Sequence, residues 1–127
     1  MLKTLEEKER DAKLLIDAIV DGIQDVKGHE ITVLNMSELP NAIADFFIIC
    51  SGDSSTQVEA IAQSVVRKTR KDVQERPWHE EGTRNAEWVL LDYVNVVVHI
   101  FYKDIREFYN LESLWADAEQ INIPNID

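Results

Sequence analysis

A chain of 127 residues, 45% hydrophobic and 29% charged, has the size and make-up of one soluble domain, with no apolar run of the roughly 18 residues a membrane span needs. One cysteine, Cys50, excludes an internal disulfide and any Cys-x-x-Cys metal or redox site. A net charge of −11, spread along the chain, argues against nucleic acid as a partner and for basic partners.

Residues 3–27 read as a long helix. Leu14, Leu15, Ala18, Ile19, Gly22, Ile23 and Val26 recur at helical spacing, and Gly28 stands where a helix ends. The polar residues 1–10 are expected to be loose, and with no apolar signal core among them the expected compartment is the cytoplasm. Ile31–Met36 is a short strand, and residues 37–44, with Pro40, form a loop. The continuous apolar run from Asp45 to Ser51 suits a central strand covered on both faces, with Cys50 a small buried hydrophobe.

Gly52-Asp53-Ser54-Ser55 turns into a second helix over 55–74, capped by Asp53 or Ser54. Its buried stripe is Val58, Ile61, Ala62, Val65, Val66 and Thr69. Arg67, Lys68, Arg70 and Lys71 near its end are either a solvated face favoured by the helix dipole or an RNA phosphate contact. Residues 75–85 connect to the strands Trp88–Asp92 and Val94–Phe101, whose short link predicts an antiparallel hairpin. A last helical segment starts near Asp104, and a tail over 119–127 is expected to be loose.

The expected fold is therefore α/β of α+β character: one domain over 1–127, with a mixed sheet of about four to five strands flanked by helices. As a single helix, residues 105–115 would spread Ile105, Phe108, Tyr109, Leu111, Leu114 and Trp115 over more than half its circumference. Either some of these side chains face outward as a protein-binding patch, or the segment breaks near Asn110, or the whole surface is core beneath a loop.

Signals for chemistry are sparse. There is no phosphate-loop motif and no His-Glu-x-x-His pair. His99 is better read as a satisfied, partly buried histidine than as a triad member with Ser51, Ser54, Ser55 or Asp92. The Ser51–Ser55 turn could hold a phosphate on helix N–H groups, as nucleotidyl transferases do. The paired acids that would hold metal ions are missing from the next strand, however, and Asp117-Ala118-Glu119 lies near the tail. No cofactor or metal is expected, and no catalytic residue.

Three stretches carry a resemblance. They are Ala44–Ser55, Glu87–Asp92, and Val96–Phe101 leading into Arg106-Glu107-Phe108-Tyr109-Asn110-Leu111-Glu112-Ser113-Leu114-Trp115. In this order and spacing they resemble the ribosomal silencing factor (Iojap-like) family. The resemblance implies a nucleotidyltransferase-like topology without catalytic acids. It implies a non-enzymatic module that binds large-subunit ribosomal protein fourteen on the intersubunit face of the large ribosomal subunit. Bound there, it blocks the small subunit and lowers translation when nutrients are short. Homodimers are also implied. Carried over residue by residue, the contacts are Trp88, Tyr109, Leu111 and Glu112, with Leu114 and Trp115 closing the motif. Asn110 stands where an acidic residue is common, and Val94-Asn95 replaces a common Gly-Asp turn. The rival from the residues themselves is a nucleotide-binding or nucleotidyl-transfer enzyme built on Ser51–Ser55.

Overall fold

The computed structural model describes residues 2–126. In chain order the elements are α1 (Leu5–Asp25), β1 (His29–Asn35), β2 (Phe46–Gly52), α2 (Ser55–Val73), β3 (His79–Glu81), β4 (Trp88–Asp92), β5 (Val96–Tyr102), α3 (Lys103–Tyr109), α4 (Leu111–Leu114) and β6 (Glu119–Ile123). The strands form one six-stranded sheet in the order β3-β4-β5-β2-β1-β6. Only the central pair, β2 with β5, runs parallel, and the crossover between them carries α2. The sheet is mixed and flanked by helices, as the sequence predicts, but two edge strands more numerous than the four segments recognised there.

Both extra strands correct an expectation. The tail from residue 119 is not loose: β6 pairs antiparallel with β1 from Ile31↔Ile123 to Asn35↔Glu119. Asn125 then ties the chain down, its Oδ1 accepting from the Glu30 N–H at 2.8 Å. The connection 75–85 contains β3, which pairs with β4 although all three of its residues are exposed. Edge strands draw their order from a neighbour's backbone, so they need no apolar pattern of their own.

The N-terminus is also more ordered than expected. A capping box closes the start of α1: Thr4 Oγ1 accepts from the Glu7 N–H at 3.1 Å, and the Glu7 carboxylate reaches back to Thr4. The loose regions expected at the two extremities include Met1 and Asp127, which lie outside the described residues. At the other end of α1, Lys27 takes the left-handed backbone (φ 64°), and the Gly28 N–H bonds the Ile23 carbonyl at 3.0 Å. Gly28 is thus required for space rather than for its φ: a Cβ there would lie 2.5 Å from Ile23 Cγ2.

Alternation along each strand sorts the core into two layers. Val96, Val98 and Ile100 of β5, with Ile48 and Cys50 of β2, face α1 and α2. Leu15, Ile19, Ile23, Val58, Ile61 and Val65 of the two helices meet them. The helices approach closely because Gly22 leaves room: a Cβ there would lie 2.9 Å from Val65 Cα. The Ser64 hydroxyl donates to the Gly22 carbonyl at 2.6 Å across the same contact. On the opposite face Phe47, Ile49, Val97 and Phe101 pack with Leu34, Met36 and Leu111.

Candidate partner-binding face

The second face is where α3 and α4 lie. They are not one helix. Asn110 takes φ 47° and ψ 59°, ending α3 and opening α4. Its N–H bonds the Arg106 carbonyl at 2.9 Å, and its own carbonyl accepts from the Ser113 N–H at 3.1 Å. Asparagine, like aspartate, tolerates this left-handed backbone better than branched residues do, and the chain bends here into an elbow. The break near Asn110, one of the outcomes open from the sequence, occurs, and with it some of the apolar side chains face outward.

The elbow divides the apolar residues between core and solvent. Phe108 is 80% exposed, Leu114 71% and Tyr109 49%. Leu111, 8% exposed, points inward onto Phe47, Ile49 and Phe101. This corrects the placing of Leu111 among the surface contacts: it anchors the elbow and offers almost no surface. Trp115 is half-buried, its ring edge-on to Phe47 at 6.0 Å. Glu112 is partly buried and held by Arg106, and Asn110 is exposed.

Trp88 supplies the floor. On β4, half-buried, it stacks on Phe101 at 4.9 Å and meets the Tyr109 ring at 4.6 Å. Its indole N–H donates to His99 Nδ1 at 3.1 Å. The neutral ring of His99 therefore carries its proton on Nε2, and that nitrogen is buried with no partner. Hence His99 is only half satisfied, contrary to the expectation for it. Burial pushes its pKa from 6.5 down to about 4. Neither ring nitrogen hydrogen-bonds a serine, and Ser51 instead accepts from Arg106 at 2.9 Å.

Arg106 was quoted from the sequence only as the opening of a motif. Its guanidinium bonds the Glu30 carbonyl, Ser51, Thr32 and Glu112. No local pattern could reveal this, because the acceptors come from β1, β2 and α4.

The Ser51–Ser55 turn is closed on itself. Ser54 is the N-cap of α2, its Oγ accepting from the Gln57 N–H at 3.1 Å. Gln57 Oε1 in turn accepts from the Asp53 N–H at 2.6 Å. The Asp53 carboxylate lies 2.9 Å from His29 Nε2 and 3.9 Å from Lys103 Nζ. An incoming phosphate would meet a carboxylate and N–H groups already engaged, which disfavours the nucleotide reading. Glu119, of the Asp-x-Glu pair, opens β6, and among the described residues no group of three or more His, Cys, Asp or Glu could hold a metal ion. In the basic cluster, Lys68 pairs with Asp25 at 3.8 Å and Asp72 at 3.7 Å, as a solvated helix face does.

Comparison with known proteins decides the family. The model of the family described as ribosomal silencing factor during starvation, RsfS, matches residues 8–127. The chain belongs to the ribosomal silencing factor family. It is 40% identical over 112 residues to a ribosomal silencing factor of Halalkalibacterium halodurans, spanning 88% of this chain and 94% of that one. It is 38% identical over 107 residues to one from Bacillus subtilis, spanning 84% and 88%. A crystal structure of a Chromobacterium violaceum protein, 36% identical, superposes with a TM-score of 0.71 over 85% of each chain. The silencing factor family is named for a regulatory role on the ribosome and not for a reaction. Among the described residues, no helix is long and apolar enough to cross a membrane.

Proposed function

We propose that this chain binds the large ribosomal subunit through the elbow face and sterically blocks joining of the small subunit, repressing translation in the cytoplasm. The contact is a basic ribosomal protein on the intersubunit face, large-subunit protein fourteen in the reading above. The observation that carries the proposal is the exposure of Phe108, Tyr109 and Leu114 together at one bend, beside a half-buried Trp88. Solvent-facing aromatics and leucine on a short, well-anchored corner are what interface hot spots use. A net charge of −11 steers the domain toward a basic partner and away from bare RNA.

No bond is made or broken in this mechanism. The domain occupies space. Trp88, Tyr109 and Leu114 supply contact, Phe108 adds area, Glu112, Asn110 and Trp115 border it, and Leu111 holds it from beneath. The test is sedimentation of purified large and small subunits with the protein on sucrose gradients. Wild type should travel with large subunits and reduce the joined particle, and a Tyr109→Ala, Leu114→Ala chain should do neither. Equal co-sedimentation by both proteins overturns the assignment of the face.

A further inference from the structure

We infer that Arg106 is the positioning residue of the binding face: largely covered beneath the elbow, it fixes α3 and α4 to the sheet and so sets where Tyr109 and Leu114 stand. The inference rests on the proposed function only for what the face binds. Its geometry stands without a partner. The Arg106 side chain is 12% exposed, and its guanidinium is engaged within the protein, so it offers a ribosome little surface of its own. Nη1 donates to the Glu30 carbonyl on β1 and to Ser51 Oγ on β2 at 2.9 Å. Nη2 donates to Thr32 Oγ1 on β1 at 3.2 Å and to Glu112 Oε2 on α4 at 3.4 Å. One planar cation thus ties two strands to both arms of the bend.

Two features show that the structure depends on this cation. Glu30 has φ 52° and lies where β1 loses register with β2, between His29 and Thr32. Its carbonyl there takes a donor from Arg106. At the other end, Glu112 Oε1 is buried without a hydrogen-bond partner, so Arg106 is what compensates that carboxylate. A half-buried carboxylate stripped of its cation is driven toward water. Glu112 lies in the first turn of α4, so its escape would carry α4, and Leu114 with it, off the sheet. Lysine keeps the charge but has one ammonium centre, which cannot reach acceptors on both sides of a planar fork.

The experiment uses the whole chain with Arg106→Lys, read in two ways. Nuclear magnetic resonance follows the Trp88 indole N–H, the Tyr109 ring and the Leu114 methyls, with the amides of α1 and α2 as the control for folding. Sedimentation with purified large subunits gives affinity. The expected result is displaced Tyr109 and Leu114 signals, an unchanged α1–α2 layer and about tenfold weaker binding. The double variant Arg106→Lys, Tyr109→Ala should lose clearly less than the sum of the two single losses, because Arg106 acts through the face. Wild-type signals, or losses that simply add, overturn the inference. If Arg106→Lys does not fold, Glu112→Gln asks the same question from α4: it should shift Leu114 and cost severalfold in affinity, and an unmoved Leu114 overturns the inference. Should Tyr109→Ala leave subunit binding intact, the face has been misassigned, and the partner-free resonances still decide whether Arg106 holds the elbow.

Discussion

The two faces of the sheet are built on different principles. Toward α1 and α2 the strands present Ile31, Val33, Ile48, Val89, Leu91, Val96, Val98 and Ile100, and two long helices cover them. Toward α3 and α4 they present Phe47, Trp88, Val97, His99 and Phe101, and two short helices cover them incompletely. Aliphatic residues under long helices give close packing and little exposed apolar area. Aromatics under a short elbow give broad, rigid surfaces with polar edges, some of which stay in water. One layer thus holds the fold together, and the other offers a surface for recognition.

The sharpest way to break that division is to cut into the aliphatic layer. Ile19→Ala, at a fully buried site, should cost about 2–5 kcal/mol in urea unfolding. Gly22→Ala should also destabilise, by roughly 1–3 kcal/mol, because its methyl meets Val65 backbone rather than a movable side chain. Both variants, where still folded, should bind large subunits as wild type does. A specific loss of binding in the folded fraction would mean that the layers are not independent.

Next in size is a pH effect on the aromatic layer. His99 is neutral when folded, with its pKa lowered by burial from 6.5 to about 4. Between these values the unfolded chain binds the extra proton, so stability rises with pH across that window and is complete above it. The contribution is up to about 3 kcal/mol, lost as pH falls from 6.5 toward 4. His99→Gln keeps an acceptor for the Trp88 indole without a proton to gain. The difference in urea midpoint between wild type and His99→Gln should therefore change across this range and be flat above it. A constant difference would show that His99 is open to water.

Smaller again is removal of exposed area from the elbow. Phe108→Ala and Leu114→Ala should leave the unfolding midpoint within about 0.5 kcal/mol of wild type, since neither side chain is in the core. Subunit binding should weaken severalfold to tenfold for each. Leu111→Ala should do the reverse in kind, costing about 2–5 kcal/mol in stability first and binding only as a consequence.

How much of this the sequence disclosed follows from where each signal resides. The stripes of α1 and α2 and the apolar runs of β2 and β5 report burial of the residue's own side chain, and all four elements were legible. β3 and β6 are ordered by hydrogen bonds to β4 and β1, and their exposed His79-Glu80-Glu81 and Glu119-Gln120-Ile121-Asn122 look like loop. The content of the elbow was legible, but its division was not. A single helix from Ile105 to Trp115 puts too many apolar residues on too wide an arc, and only the left-handed backbone at Asn110 decides that Leu111 turns in while Leu114 stays out. Arg106 was beyond reach, because its acceptors are four residues brought together by the sheet and the bend.

The finest test separates stability from recognition at a point that belongs to neither layer. The turn between β4 and β5 places Val94 at φ 76°, a left-handed conformation that a β-branched residue resists. It is held there by its neighbours: the Val94 N–H donates to Asp92 Oδ1 at 2.7 Å, and the Tyr93 N–H to the Val96 carbonyl at 2.8 Å. The side chain is 59% exposed, so little burial is lost by removing it. Val94→Gly should relieve the strain and raise stability, by about 1 kcal/mol net of the freedom glycine adds to the unfolded chain. The turn lies at the opposite end of β5 from α3, so affinity for large subunits should not change. A more stable variant with unaltered binding is the result expected if the fold and the face are separately built. A stabilised variant that binds differently would show that the hairpin transmits its strain along β5 to the elbow.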